Sequence, residues 1–289
     1  MITLKYIWKP LASVVFWGAS FIATKIVLDE LNPLSIIYFR LLFGIITVTA
    51  IALKRKRSFK MRISDMKGIL LLAAISTTHL WIQVTGLQYT SASNTGWIIG
   101  VIPVIMAVLG FLFYREKLTP LQSIGIFISL SGLLLLISKG DIYSINLIEN
   151  KGDLLVLGSA FTWSFYSFAG KKVTLNYPPI MTILYLFVTM AIILSPITIT
   201  PENIKAAVNL SVHGWASLMF LGVLCSGIAY VLWAEAMKEM PASKVGAFLY
   251  LEPFVTVFTA WLFLKEEITF LMMISGIIII AGVILVNRK

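Results

Sequence analysis

Glu252 and Arg40 are the residues whose chemistry fits their surroundings least. Glu252 stands beside Pro253 inside the stretch 242–269, ASKVGAFLYLEPFVTVFTAWLFLKEEIT, about ten residues into a segment long enough to cross a bilayer. A charge at mid-membrane costs roughly 2.5–3.5 kcal/mol even on the lenient insertion scale, so such a residue needs a partner or a watery cavity. A carboxylate there can bind a substrate ammonium or take up a coupling proton. The structural alternative is a glutamate hydrogen-bonded to a neighbouring helix. Arg40 lies about seven residues into the second apolar run. It can attract a carboxylate, pair with Glu252, or extend its head group to the interface. In the third run Ser76, His79 and Gln83 share one helical face at i, i+3 and i+7. His79 can carry protons or bind substrate, or simply bond a neighbouring helix. Trp17, Asn94, Trp97, Trp163, Tyr166, Tyr230 and Trp233 supply side chains for an aromatic cavity wall, although Trp and Tyr also gather at membrane interfaces.

The segments that must hold these groups repeat. Displacing 242–269 by 150 positions gives 92–119, ASNTGWIIGVIPVIMAVLGFLFYREKLT. Ala92/Ala242, Ser93/Ser243, Gly96/Gly246, Pro103/Pro253, Glu116/Glu266 and Thr119/Thr269 coincide. Nearer the start of each half the spacing is 146, and Trp17 meets Trp163, Lys25 meets Lys171, and Pro33 meets Pro179. The repeat separates what is shared from what is not. Pro103 and Pro253 each delete a backbone donor, and the carbonyl this frees must find protein or water. They are expected to break and shape two equivalent helices. Glu252, by contrast, meets Ile102, and Arg40 meets Leu186. The repeat itself therefore does not require either charge. Glu116 and Glu266 close equivalent segments and are expected to anchor them, pairing with neighbouring basic groups or capping the next helix.

The composition agrees with a membrane solvent. Of 289 residues, 59% are hydrophobic and 12% charged, with a mean hydropathy of +0.94. A soluble domain would carry about a quarter charged residues. Ten apolar segments are expected, near 10–28, 34–53, 68–88, 92–114, 121–138, 153–170, 179–200, 214–237, 242–264 and 270–287. The chain is thus expected to be an all-α polytopic membrane protein without a soluble domain. Its first half is 1–140, an external linker spans 141–152, and the second half is 153–289.

The net charge of +10 does not indicate nucleic acid, because the basic residues fall in short loops between apolar runs. Seven of them, Lys54, Arg55, Lys56, Arg57, Lys60, Arg62 and Lys67, lie in 54–67. The positive-inside rule puts that loop in the cytoplasm, and ten spans then place both termini there too. Five spans per half is an odd number, so the halves run in opposite directions through the bilayer, a recurring transporter plan with a site at the midplane.

These residues resemble the EamA family of the drug/metabolite transporter superfamily. The likeness lies in Phe16-Trp17-Gly18-Ala19-Ser20-Phe21 followed by Lys25, Pro33 and Arg40, and in the twin spans with a mid-helix proline and a closing glutamate. It covers essentially the whole chain. It implies ten helices in two inverted five-helix repeats around a central cavity, in a cytoplasmic membrane. Members mostly export amino acids or other small metabolites, and some import vitamins.

The expected function is therefore secondary transport, most simply export of a small metabolite such as an amino acid by alternating access. The expected partners are the substrate and the lipid bilayer, with coupling to protons as an option and the oligomeric state left open. An importer or a lipid-linked carrier flippase fits the same plan. An intramembrane enzyme fits worse. Only two histidines, His79 and His213, occur, no cysteine cluster offers metal ligands, and neither a His-Glu-x-x-His motif nor a phosphate loop is present. No catalytic residue, metal or cofactor is expected.

Overall fold

The computed structural model describes residues 7–114, 118–140, 150–172, 177–240, 245 and 247–287. Among these residues every regular element is helical. Helices α1 (Trp8–Leu28), α2 (Pro33–Lys54) and α3 (Met66–Leu87) come first. Then follow α4 (Ala92–Ile99), α5 (Ile102–Tyr114), α6 (Pro120–Ile137), α7 (Lys151–Lys172) and α8 (Pro179–Thr198). Helices α9 (Pro201–Val208), α10 (Val212–Met219), α11 (Ala229–Glu239), α12 (Glu252–Thr259) and α13 (Phe270–Asn287) complete the order. Among the described residues seven helical stretches are long and apolar enough to cross a membrane, and Phe248–Leu264 and Phe270–Val286 are shorter apolar ones.

The starts of these helices are written in the sequence. Asn32 accepts from the Ser35 amide ahead of Pro33, and Ser91 accepts from the Asn94 amide. Thr119 and Gln122 form a reciprocal capping box before α6. Each satisfies amides that the first helical turn leaves without a partner.

Three runs depart from uninterrupted helix, and the proline accounts for two of them. The fourth run breaks at Gly100–Val101 between α4 and α5. The ninth opens as a 3-10 turn at Ala247–Leu251, becomes α12 at Glu252, and ends as a π-helical turn at Ala260–Leu264. Without an amide hydrogen on Pro103 or Pro253, the carbonyls of Ile99 and Leu249 lose their i+4 donor, and the helix yields there. In the eighth run a π-helical segment, Phe220–Ile228, joins α10 to α11. Helix α9 is an addition to the expected ten and lies in the expected outer loop; Thr200, Pro201 and Glu202 give it a regular start.

Close approach of small residues sets the packing. A Cβ on Gly125 of α6 would lie 2.7 Å from the Gly282 carbonyl of α13, and one on Gly96 of α4 would lie 2.8 Å from Thr256 Cβ of α12. Such contacts let helices associate where burial from water provides little drive. Helix α3 packs on α7 and α8, α2 on α8 and the π-helical segment, and α1 on α10, α11 and α12.

The expectation that Glu266 caps the next helix is corrected. Its carboxylate accepts from the Ala92 and Ser93 amides at 2.8 and 3.0 Å and from the Ser93 hydroxyl at 2.7 Å, so it caps α4. The reason is the chain reversal at Lys265, whose φ of 54° turns the end of the ninth run back towards α4. Arg115, Glu116, Lys117 and the linker positions 141–149 lie outside the described residues.

Candidate functional site

A cavity of about 100 Å³ opens where α1, α2, α3, α7, the eighth run and both proline breaks converge. At roughly 10–15 Å³ for each water-sized group, it holds on the order of seven to ten such groups. Its wall includes Trp17, Arg40, His79, Gln83, Trp163, Tyr230, Glu252 and both Pro103 and Pro253. Most of the residues singled out from the sequence are therefore brought to one place.

Glu252 is buried at the first turn of α12. No hydrogen bond or ion pair to its carboxylate is formed among the described residues, where the ion pairs join only Lys9 and Arg55 to Glu235 and Glu239. Arg40 is buried too, which removes the reading in which it reaches to the interface. Its Nε donates to the Ser226 hydroxyl at 3.1 Å, and Ser226 belongs to the π-helical segment. That one bond fixes the plane of the guanidinium and leaves its other donors for the cavity. The two buried charges thus face one space without pairing to each other.

His79 is oriented from behind. Its Nδ1 donates to the Ser159 carbonyl at 2.9 Å, since a carbonyl can only accept, which leaves Nε2 as the uncommitted nitrogen. Its ring stacks against Trp163 at 5.2 Å, and Trp163 in turn against Tyr166 at 5.3 Å. Trp17 gives its indole hydrogen to the Cys225 carbonyl at 3.1 Å, so it offers the cavity an apolar ring. Tyr230 and Trp233 lie against that ring at 5.4 and 5.1 Å.

Four expected wall residues lie elsewhere. Trp97 is fully buried against Phe254 and over Gly276, because Gly276 leaves room for an indole between α4 and α13. Asn94 sits in the first turn of α4, where its amide reaches towards Asp153 at 3.4 Å. Tyr166 stands behind Trp163 and bonds Ser76, and Trp233 stands behind Trp17. Tyr166 and Trp233 back the wall without forming it, and Trp97 and Asn94 are no part of it.

Ser20, Phe21, Leu80, Ile99, Gly100, Ile102, Leu249 and Tyr250 also line the cavity without having been singled out. Two of them had a readable signal. Ile99 and Leu249 are the residues four before Pro103 and Pro253, whose carbonyls the prolines leave without a helical donor.

The family model described as the EamA-like transporter family matches this chain twice, over residues 4–138 and 150–288. The chain belongs to the EamA-like transporter family. An uncharacterized transporter of Archaeoglobus fulgidus is 30% identical to it, with 96% of this chain and 95% of that protein covered. The uncharacterized inner membrane transporter YhbE of Escherichia coli K12 is 29% identical over 94% of this chain and 88% of its own length. A probable terminal-alkyne amino-acid exporter of Streptantibioticus cattleyicolor is 25% identical over 99% of this chain and 94% of its own. A crystal structure with 16% identity superposes with a TM-score of 0.70 over 97% of both chains, a likeness of fold. The EamA-like chain is thus a multi-pass membrane transporter, and its cavity lies among helices that match the family from end to end.

Proposed function

We propose that this EamA-like transporter exports a small zwitterionic metabolite, with amino acids as the leading class, across the cytoplasmic membrane by alternating access. The observation that carries this reading is the pair of buried, mutually unpaired charges on one cavity wall. Arg40 takes the substrate carboxylate, Glu252 the ammonium or a coupling proton, and Trp17, Trp163 and Tyr230 the side chain. A buried charge left without a partner is costly, so a zwitterion that supplies both counter-charges gains where a neutral solute does not. The cavity volume suits a molecule of amino-acid size. The name of the Streptantibioticus relative points the same way.

Ten helices in two inverted repeats, with both termini cytoplasmic, are part of the proposal. Two features support it: the family model matches two consecutive segments, and the helix packing repeats when the halves are exchanged. Helix α3 on α7 corresponds to the eighth run on α1, and α1 on α12 to α7 on α4 and α5. The inner membrane fits the location named for YhbE, and the basic loop 54–67 fits a cytoplasmic side.

The test is profiling of the medium around cells that express wild type, Glu252→Gln or Arg40→Gln at equal membrane abundance. One class of amino acid should accumulate outside only with wild type. Equal accumulation with all three proteins would remove both charges from the mechanism.

A further inference from the structure

The loop between α2 and α3 carries a surface that transport does not explain. Residues 57–62 form no helix, and along the segment the apolar Phe59, Met61 and Ile63 alternate with Lys60 and Arg62. The three apolar side chains are 43%, 36% and 89% exposed. Two tyrosines, Tyr177 just before α8 and Tyr185 within it, hold the segment by its backbone. The Tyr177 hydroxyl accepts from the Arg62 amide at 2.7 Å, and the Tyr185 hydroxyl donates to the Lys60 carbonyl at 3.3 Å. Their rings pack edge to face at 5.1 Å.

The charges around this apolar row are nearly all of one sign. Arg55 pairs with Glu235, and Asp65 is the segment's one acid, with its Oδ1 bonded to the Ser64 hydroxyl. Lys54, Lys56, Arg57, Lys60, Arg62 and Lys67 form no ion pair among the described residues. A row of exposed apolar side chains flanked by free cations, between the ends of two membrane-length helices, matches the charge and polarity of one neighbour. That neighbour is the boundary layer of a bilayer, with phosphates outside and acyl chains within.

We propose that segment 54–67 is a binding site for anionic phospholipid. Phe59, Met61 and Ile63 enter the acyl boundary of the adjacent leaflet, and Lys56, Arg57, Lys60 and Arg62 take headgroup phosphates. The tyrosine bonds pre-order the segment, so little of the attraction is spent on arranging the loop. This site is independent of the substrate and of the direction of transport.

The native Cys225 is buried, so a polarity-sensitive fluorophore can be placed on Ile63→Cys alone. The labelled protein is reconstituted into vesicles of phosphatidylcholine with or without phosphatidylglycerol, some lipids carrying bromine just below the headgroup. Bromine should quench the probe, and more strongly with phosphatidylglycerol. Each of Lys56→Gln, Arg57→Gln, Lys60→Gln and Arg62→Gln should lower that preference by roughly fivefold. Lys60→Arg should retain it, which separates charge from folding. Equal quenching in both vesicle types would overturn the charge recognition, and no quenching in either would overturn the site. Loss of quenching with millimolar inorganic phosphate would make free phosphate the ligand and likewise overturn it, as would burial of the probe only on adding cell extract.

Discussion

The fourth and ninth runs share a proline and a few flanking residues at equivalent positions and do different things. Both carry a proline at the equivalent position, both break there, and both give the cavity the proline and the residue four before it. Where the fourth has Ile102, however, the ninth has Glu252. The same division holds one helix pair further out. Trp17 and Trp163 are twins and both line the cavity, whereas Arg40 has as its twin Leu186, buried in the apolar core. What the halves share builds the walls, and what they do not share puts charge on them. A frame of paired prolines and tryptophans that carries unpaired charges can give a substrate one orientation, because the two sides of the cavity present different polar groups.

Erasing the asymmetry should have the largest effect. Glu252→Ile gives both runs isoleucine at this cavity position and should lower counterflow of the proposed amino-acid substrate in proteoliposomes by about tenfold or more, because losing one partner of a buried charge interaction typically costs several kcal/mol. Ile102→Ala should change counterflow by less than about threefold, since it removes volume and no charge. Comparable losses in the two variants would mean that the cavity needs volume at both positions and charge at neither.

Straightening the frame comes next. Pro253 occupies the first turn of α12, where its missing amide hydrogen costs that helix nothing. Pro253→Ala restores a donor for the Leu249 carbonyl and favours continuous α-helix over the 3-10 turn. The expected result is a several-fold fall in counterflow with thermal stability unchanged or raised. Pro103→Ala should act in the same direction. If either variant transports as well as wild type, that break is not needed for the cycle.

The contact between the runs can be tested by size alone. A Cβ on Gly96 would meet Thr256 Cβ at 2.8 Å, so Gly96→Ala must push α4 away from α12. Overpacking of this kind costs about 1–3 kcal/mol, to be read as a lowered melting temperature in detergent. Gly158→Ala, where the nearest side-chain atom would be 3.8 Å away, should be tolerated.

How much of this was legible before the structure depends on which interactions were local. Helix starts such as Asn32-Pro33 and Thr119-Pro120 were readable because a cap acts within one turn of chain. That Arg40, His79 and Glu252 were candidates was readable because an ionisable residue in a membrane has few choices of surroundings, but the sequence alone left Arg40 free to reach the interface and His79 free to bond a neighbouring helix. The π-helical segment 220–228 was not, since its apolar sequence fits an ordinary α-helix, and the close approach of Gly222 and Gly227 to α2 is known only once the helices are packed. Ser226, the residue that holds Arg40, was missed for the same reason. Trp97 was misplaced because indoles suit a cavity wall and a tight core equally well, and only Gly276, far along the chain, decides between them.

A smaller effect lies at the ends of the helices, where Glu266 ties the ninth run to the fourth and Glu30 ties the first to the eighth. Glu30 accepts from the Ser211 hydroxyl and the Ser211 amide, both at 2.6 Å, at the N-cap of α10. The hydroxyl bond, then the amide bond, hold its carboxyl below the ordinary value of 4.5, with a lesser contribution from His213. A depressed carboxyl stabilises the fold fully above its unfolded pKa, and that contribution is lost as the pH falls through the folded one. Wild type should therefore melt slightly above Glu30→Gln at neutral pH, and the gap should close as the pH drops below about 4.5. Solvent screens this site, so the gap is small. A gap that stays constant from neutral to acid pH would mean that the amide variant loses packing rather than charge. Glu30 would then differ in kind from Glu266, whose carboxylate closes the first turn of α4 with three hydrogen bonds.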